Sequence, residues 1–368
     1  MTHRERFHAI LNYEPYDRML LLHFGFWQET IEKWKAEKHI SSDEASDVWD
    51  NSINENAISK RLGFDFNYHS MSHGGSRLFP AFEEKVIKQF PDGSQHKMNS
   101  DGVIELVKPG IVSISAEIEH TLTDRESWEK VYKPKLQFTP DRIDWDGLTS
   151  IDPNRETPIG LFCGSLYGGI RNWMGLEGLS YIAVDDEELL DEIIEAVAAL
   201  NIDIVQAVLE TGVEFDMAHF WEDICFNYGP LISPAVFYEK LGPYYKKITS
   251  ICKAYDINII SVDCDGLIDA LIPTWFENGV NTMFPIEVGT WGANIAPWRK
   301  KYGKSLLGVG GMDKRVFSMD YTAIDKEIER LKPLIQLGGY IPCPDHRIAP
   351  DAIWENVQYY CDKMRELL

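Results

Sequence analysis

Five short stretches in the second half of the chain read as strands, each with a carboxylate or a histidine at its C-terminal end and a helical segment after it. They are 215–219, with Glu222 and Asp223 after it; 257–262, with Asp263 and Asp265; and 281–285, with Glu287. The last two are 306–310, with Asp313, and 339–342, with Asp345 and His346. Strand–helix alternation of this kind builds βα units around a parallel sheet. In a (β/α)8 barrel the C-terminal strand ends meet at one mouth, where active sites sit. Helix capping competes as an explanation, because Asp and Glu favour the first turn of a helix. One or two of these residues serve as caps; five in succession, one group with a histidine, point to a binding site.

Three earlier apolar runs, 19–24, 64–68 and 158–162, bring the strand count to eight. A doubly wound sheet would carry a glycine-rich phosphate loop after its first strand. Here that position reads Phe24-Gly25-Phe26-Trp27, which favours an α/β (β/α)8 TIM barrel. Between 77 and 125 the pattern changes to short β-like runs split by Asp92-Gly93 and Asp101-Gly102, the signature of antiparallel hairpins. The expected organisation is one domain over 1–368 with a β-hairpin insertion at 77–125. Thr2 should cap a helix at 2–12, and Asp185 with Glu188 should start a long helix whose buried side runs from Leu189 to Val208. Ser233-Pro234 opens another helix, which Pro243 should kink.

Composition removes several function classes. No apolar run approaches the length of about 18 residues that a membrane span needs, and no secretory apolar core follows Met1–Arg6. The six cysteines are scattered without a CxxC pair, which suits reduced thiols in the cytoplasm. A net charge of −22 repels phosphate backbones and disfavours nucleic acid as a partner.

At the expected mouth, Asp263-Cys264-Asp265-Gly266 places two carboxylates two residues apart, so both can face the same side. With His346 they offer an O,O,N set suited to Zn²⁺ or another divalent metal. Glu222 is expected as a fourth ligand or general base, whereas Asp223 reads as a local turn cap. Glu287 and Asp313 are expected to act catalytically or to orient the ligands. A structural ion pair is the alternative for each, Glu287 with Lys314 or Arg315 and Asp313 within Gly310-Gly311-Met312-Asp313-Lys314-Arg315. Lys314 is assigned to substrate binding, with Phe24, Trp27, His219 and Trp221 lining a pocket for an aromatic or methyl-bearing ligand. Cys343 reads as a buried thiol, with a thiolate ligand as the alternative.

The opening Thr2-His3-Arg4-Glu5-Arg6-Phe7, Gly229-Pro230-Leu231-Ile232-Ser233-Pro234 and the Gly310–Arg315 run resemble the uroporphyrinogen decarboxylase superfamily, as does Gly338-Gly339-Tyr340-Ile341-Pro342 with Pro344-Asp345-His346. The resemblance covers nearly the whole chain. It implies a (β/α)8 barrel that either decarboxylates or, with zinc, exchanges methyl groups with a corrinoid carried by a separate protein. True decarboxylases carry an Arg-Gln-Ala-Gly-Arg stretch after the first strand; here Gly25-Phe26-Trp27-Gln28-Glu29 has no arginine. The methyltransferases carry a His-x-Cys zinc pair and a further Cys, positions that align with Asp263, Asp265 and His346. The resemblance thus implies a corrinoid-linked methyltransferase-like enzyme acting on a small substrate such as a methoxy aromatic, with a homodimer left open. A metal-free decarboxylase or lyase of a small acid, protonating through Glu287, and a ligand-binding barrel without turnover are the alternatives.

Overall fold

The computed structural model describes residues 1–70, 75–110 and 115–367. Fourteen strands are described. Two come first, β1 (Leu22–His23) and β2 (Phe66–Asn67). Then follow β3 (Lys85–Gln89), β4 (Gln95–Met98), β5 (Val103–Val107) and β6 (Ala116–His120). The rest are β7 (Gly160–Phe162), β8 (Met217–Trp221), β9 (Cys225–Phe226), β10 (Gly229–Pro230), β11 (Ile260–Asp263), β12 (Thr282–Phe284), β13 (Leu307–Met312) and β14 (Tyr340–Pro344).

Strands β7, β8, β11, β12, β13 and β14 lie in that order in one parallel sheet, and β1 pairs with β2 in a second parallel sheet. All eight fall on the runs read from sequence, although β8, β13 and β14 extend about two residues further. The two sheets touch at both seams. Gly160 N donates to Ser70 O at 2.7 Å, and Phe26 bridges Ile348 in parallel. The ladder is therefore six strands plus two, not one uninterrupted ring. The strands are buried on both faces, as expected of parallel strands covered by helices, and this is why they read as continuous apolar runs.

The long helix Glu187–Leu209 buries Leu189, Ile193, Val197, Leu200, Ile204 and Val208, the predicted stripe. Each such side chain contributes about 1.5–3 kcal/mol on burial. Its cap is Asp186, which accepts from Leu189 N; Asp185 instead ends the preceding helix, Gly168–Asp185. Thr2 caps His3–Leu11 through a capping box with Glu5, as predicted. Helix Pro234–Ala254 starts after Ser233 and carries Pro243 inside it, but Ser233 makes no side-chain cap bond.

The expected insertion is an antiparallel sheet in the order β3-β4-β5-β6, within which residues 111–114 lie outside the described ones. All six cysteines are free and buried. Among the described residues, no helix is long and apolar enough to cross a membrane.

Candidate active site

A cavity of about 830 Å³ opens beyond the C-terminal ends of the parallel strands. Strand parity decides which side chains reach it. In β8, His219 and Trp221 point inward and Asp223, just beyond the strand, keeps that parity; all three line the cavity. Phe220 and Glu222 point the other way, and both are fully buried. In β11, Asp263 and then Asp265 follow Ser261 on the inward side. Phe24 follows β1, His69 follows β2 and His346 follows β14, so strands from both sheets converge on one space. The insertion adds Asp101, and the segment leading into it adds Ser76 and Arg77.

Two histidines and one carboxylate come together inside it. The ligand atoms of His69, His219 and Asp263 all lie within 4.8 Å of one another, the one such group of His, Cys, Asp or Glu among the described residues. His69 Nε2 is 3.3 Å from Asp263 Oδ2, and His69 Nδ1 is 3.7 Å from Asp50 Oδ2. His219 Nδ1 lies 2.6 Å from Ser261 Oγ, which leaves Nε2 free. Burial opposes protonation of His69, but Asp263 and Asp50 outweigh it and raise its pKa above the ordinary value. Burial, with His69 adding to it, pushes the pKa of His219 well down and keeps that ring neutral.

A second pair lines the same cavity. His346 Nε2 is 3.5 Å from Asp265 Oδ2, while Trp27 Nε1 donates to His346 Nδ1 at 3.4 Å. Burial, then Lys314 and Arg347, lower the His346 pKa to about 4. Burial, then Asp263 and Asp223, raise the Asp265 carboxyl well above the usual carboxylate range. Asp265 is thereby a candidate proton donor.

The expected ligand trio Asp263, Asp265 and His346 all line the cavity, but their ligand atoms do not converge as a set of three. Glu222 does not reach the cavity, contrary to expectation. It is fully buried and accepts from Leu166 N (2.8 Å), Tyr167 N (2.9 Å), Gly168 N (2.8 Å), Ser165 Oγ (3.0 Å) and Tyr245 OH. With both oxygens occupied, it fastens the start of the Gly168–Asp185 helix to β8. Gly168 is required there, since a Cβ would fall 1.9 Å from Glu222 O. Asp223, read from sequence as a turn cap, is the one that faces the cavity, with φ at 49° and Arg171 3.8 Å away.

Glu287 accepts from Gly266 N at 2.8 Å and from Thr290 Oγ1, outside the cavity lining. Asp313 is held by Arg315 at 2.7 and 2.9 Å, the structural ion pair named as its alternative. Lys314 donates its Nζ to Arg347 O at 3.3 Å, also outside the lining. Phe24, His219 and Trp221 line the cavity as expected, whereas Trp27 backs His346 from behind. Cys343 is buried, and burial, then Asp345, drive its thiol pKa well up.

His69 went unremarked in the sequence, although it follows the run 64–68 just as His346 follows 339–342. The same criterion applied to all eight strands finds it. Asp50 carried no such signal, because it sits in an irregular segment, and only the fold sets it beside His69 and Arg347. Two imidazoles, a carboxylate and a buried His69 Nε2 without a hydrogen-bond partner make a nitrogen–oxygen donor set that fits a divalent transition metal. They do not make a thiolate site.

The uroporphyrinogen decarboxylase (URO-D) family model matches residues 118–367. Among solved structures, a methyltransferase from Methanosarcina mazei superposes with a TM-score of 0.62 at 13% identity, covering 100% of this chain and 99% of that one. A protein from Listeria monocytogenes, described as a vitamin-B12-independent methionine synthase, gives a TM-score of 0.35 at 15% identity over 58% of this chain and 65% of that one. No curated protein matches the sequence. The family match spans more than half of the chain and includes β7 to β14 with their cavity residues, so the chain belongs to the uroporphyrinogen decarboxylase family.

Proposed function

We propose that this chain is a metal-dependent methyltransferase. It would move a methyl group between a small substrate, such as a methoxy aromatic, and a corrinoid carried by a separate protein. The observation that carries the reading is the convergence of two imidazoles and a carboxylate in a cavity walled by Phe24, Phe162, Trp173 and Trp221. The fold supports it: the eight parallel strands are read as a (β/α)8 barrel with its site at the C-terminal mouth. A bound divalent metal supplies Lewis acidity towards the heteroatom that carries the methyl group. The aromatic side chains orient an apolar ring and exclude water from it. Asp265, whose carboxyl pKa is raised well above the usual range by burial, then Asp263 and Asp223, would give a proton to the demethylated oxygen, with His346 Nε2 3.5 Å from it.

Uroporphyrinogen fits this cavity poorly. Its several carboxylates would meet Asp101, Asp223, Asp263 and Asp265, while of the two lining arginines Arg347 is committed to Asp50 and Arg77 stands against Asp101. The test incubates the protein with reduced corrinoid protein and a panel of methoxy aromatics, and separately with uroporphyrinogen. Methyl-corrinoid formation is expected. Coproporphyrinogen formation overturns the reading, and inactivity with every donor favours a binding barrel.

A further inference from the structure

We infer that the metal of this cavity sits between His69, His219 and Asp263, and that Asp265 and His346 are not its ligands. The inference deepens the proposed function, but its test does not depend on turnover. Three observations carry it. First, spacing: Asp263 Oδ2 and His69 Nε2 are 3.3 Å apart. That is about the separation of two donors each roughly 2.0–2.2 Å from a tetrahedral ion.

Second, each imidazole has a partner on its far nitrogen. Metal-bound histidines commonly pass the other ring N–H to a carboxylate or another oxygen, which fixes the tautomer. Asp50 Oδ2 stands 3.7 Å behind His69 Nδ1, and Asp50 is itself clamped by the Arg347 guanidinium and by Asn67 Nδ2 at 3.1 Å. Ser261 Oγ holds His219 Nδ1 at 2.6 Å. His69 Nε2 thereby faces Asp263, and His219 keeps its Nε2 for a ligand.

Third, His69 Nε2 is buried and makes no well-directed hydrogen bond, its polar neighbour being Asp263 Oδ2 at 3.3 Å, and a cation between the two would satisfy both. The alternative trio lacks these features. Asp265 and His346 pair with each other at 3.5 Å, and no third donor joins them among the described residues. The Trp27 indole N–H donates to His346 Nδ1 at 3.4 Å. The three proposed ligands come from the ends of β2, β8 and β11, which leaves the cavity side of the ion open to substrate.

The probe is Co²⁺ titrated into metal-stripped full-length protein and read by its visible absorption, with melting curves run in parallel. Wild type should bind one ion per chain. His69→Gln, His219→Gln and Asp263→Asn should each weaken binding by roughly 100-fold or more, beyond the loss typical of a changed outer partner. Asp265→Asn and His346→Gln should stay within about threefold of wild type, a bound set by that same comparison. The opposite ranking overturns the assignment, as does wild-type protein that binds no Co²⁺; His69 is then only an ionic bridge between Asp50 and Asp263. Should a variant misfold, the anomalous signal of Zn²⁺-soaked wild-type crystals decides. A peak within about 2.3 Å of His69 Nε2 and His219 Nε2 supports the site, and a peak beside His346 overturns it.

Discussion

Glu222 and Asp263 both stand at the end of an inner strand, two strand neighbours in the same sheet, yet they belong to different layers of the molecule. Every oxygen of Glu222 is occupied by a hydrogen bond from Leu166, Tyr167, Gly168, Ser165 or Tyr245. Asp263 faces the cavity beside a histidine with a buried, unpartnered nitrogen. Asp345 resembles Glu222, accepting from the backbones of Val288, Gly289 and Lys314. Asp265 resembles Asp263, since its Oδ1 is buried and unpartnered. A saturated carboxylate holds backbone together. One with spare hydrogen-bonding capacity is available to a ligand or a proton. Residue type and position at a strand end do not separate the two; the count of donors around each oxygen does.

The largest effect should come from breaking the saturated side. Glu222→Gln puts an amide NH₂ against donors that need an acceptor, leaving buried N–H groups unpaired. The expected loss is about 3–5 kcal/mol in unfolding free energy by denaturant titration. A variant as stable as wild type but inactive would move Glu222 back among the catalytic groups.

A buried pair, His23 and Glu55 with Nε2 and Oε1 3.3 Å apart, sharpens the comparison through pH. Burial, with Asp50 adding to it, raises the Glu55 pKa to about 7, and burial lowers the His23 pKa to about 3. Between roughly pH 4.5 and 6.5 the unfolded state ionises Glu55 while the folded state keeps it protonated, so Glu55 costs stability as pH rises. Over the same window the unfolded state protonates His23 while the folded state does not, so His23 costs stability as pH falls. The two slopes offset one another in the wild type. Glu55→Gln should leave the His23 slope alone. Between pH 6.5 and 4.5 the unfolding free energy of the variant should then fall by roughly 2–3 kcal/mol more than that of wild type, seen in denaturant titrations of both across that range. A variant with the same pH dependence as wild type would show that the pair does not carry these pKa values.

Asp50→Asn tests whether the cavity histidines depend on their outer partners. Co²⁺ affinity should fall by about 10–100-fold with the stoichiometry kept at one. Unchanged affinity would detach Asp50 from the site. The smallest effect is expected for Trp27→Phe, which removes only the 3.4 Å bond to His346. Stability should change by less than about 1 kcal/mol, and Co²⁺ affinity should not move. A loss of Co²⁺ binding there would place His346 among the ligands.

Much of this was legible in the sequence. Eight apolar runs gave eight parallel strands, because strands buried on both faces must be apolar throughout. The hairpin insertion was legible from its Asp-Gly turns, and the cavity wall from the residues after each run. Parity within β8 could also have been counted from His219, which would have sent Glu222 outward and Asp223 inward. What lay beyond the sequence was pairing across distance. His69 is 150 residues from His219 and Asp50 is 297 from Arg347. No periodicity links such positions; they meet only because β1, β2 and their loops close against both edges of the six-stranded sheet. The sequence by itself determined the strands, their order of burial and the polar character of their ends, since these follow from local hydrophobic pattern. Only the tertiary structure decided which polar ends are saturated and which remain open, because hydrogen bonds to each oxygen come from segments distant in the sequence.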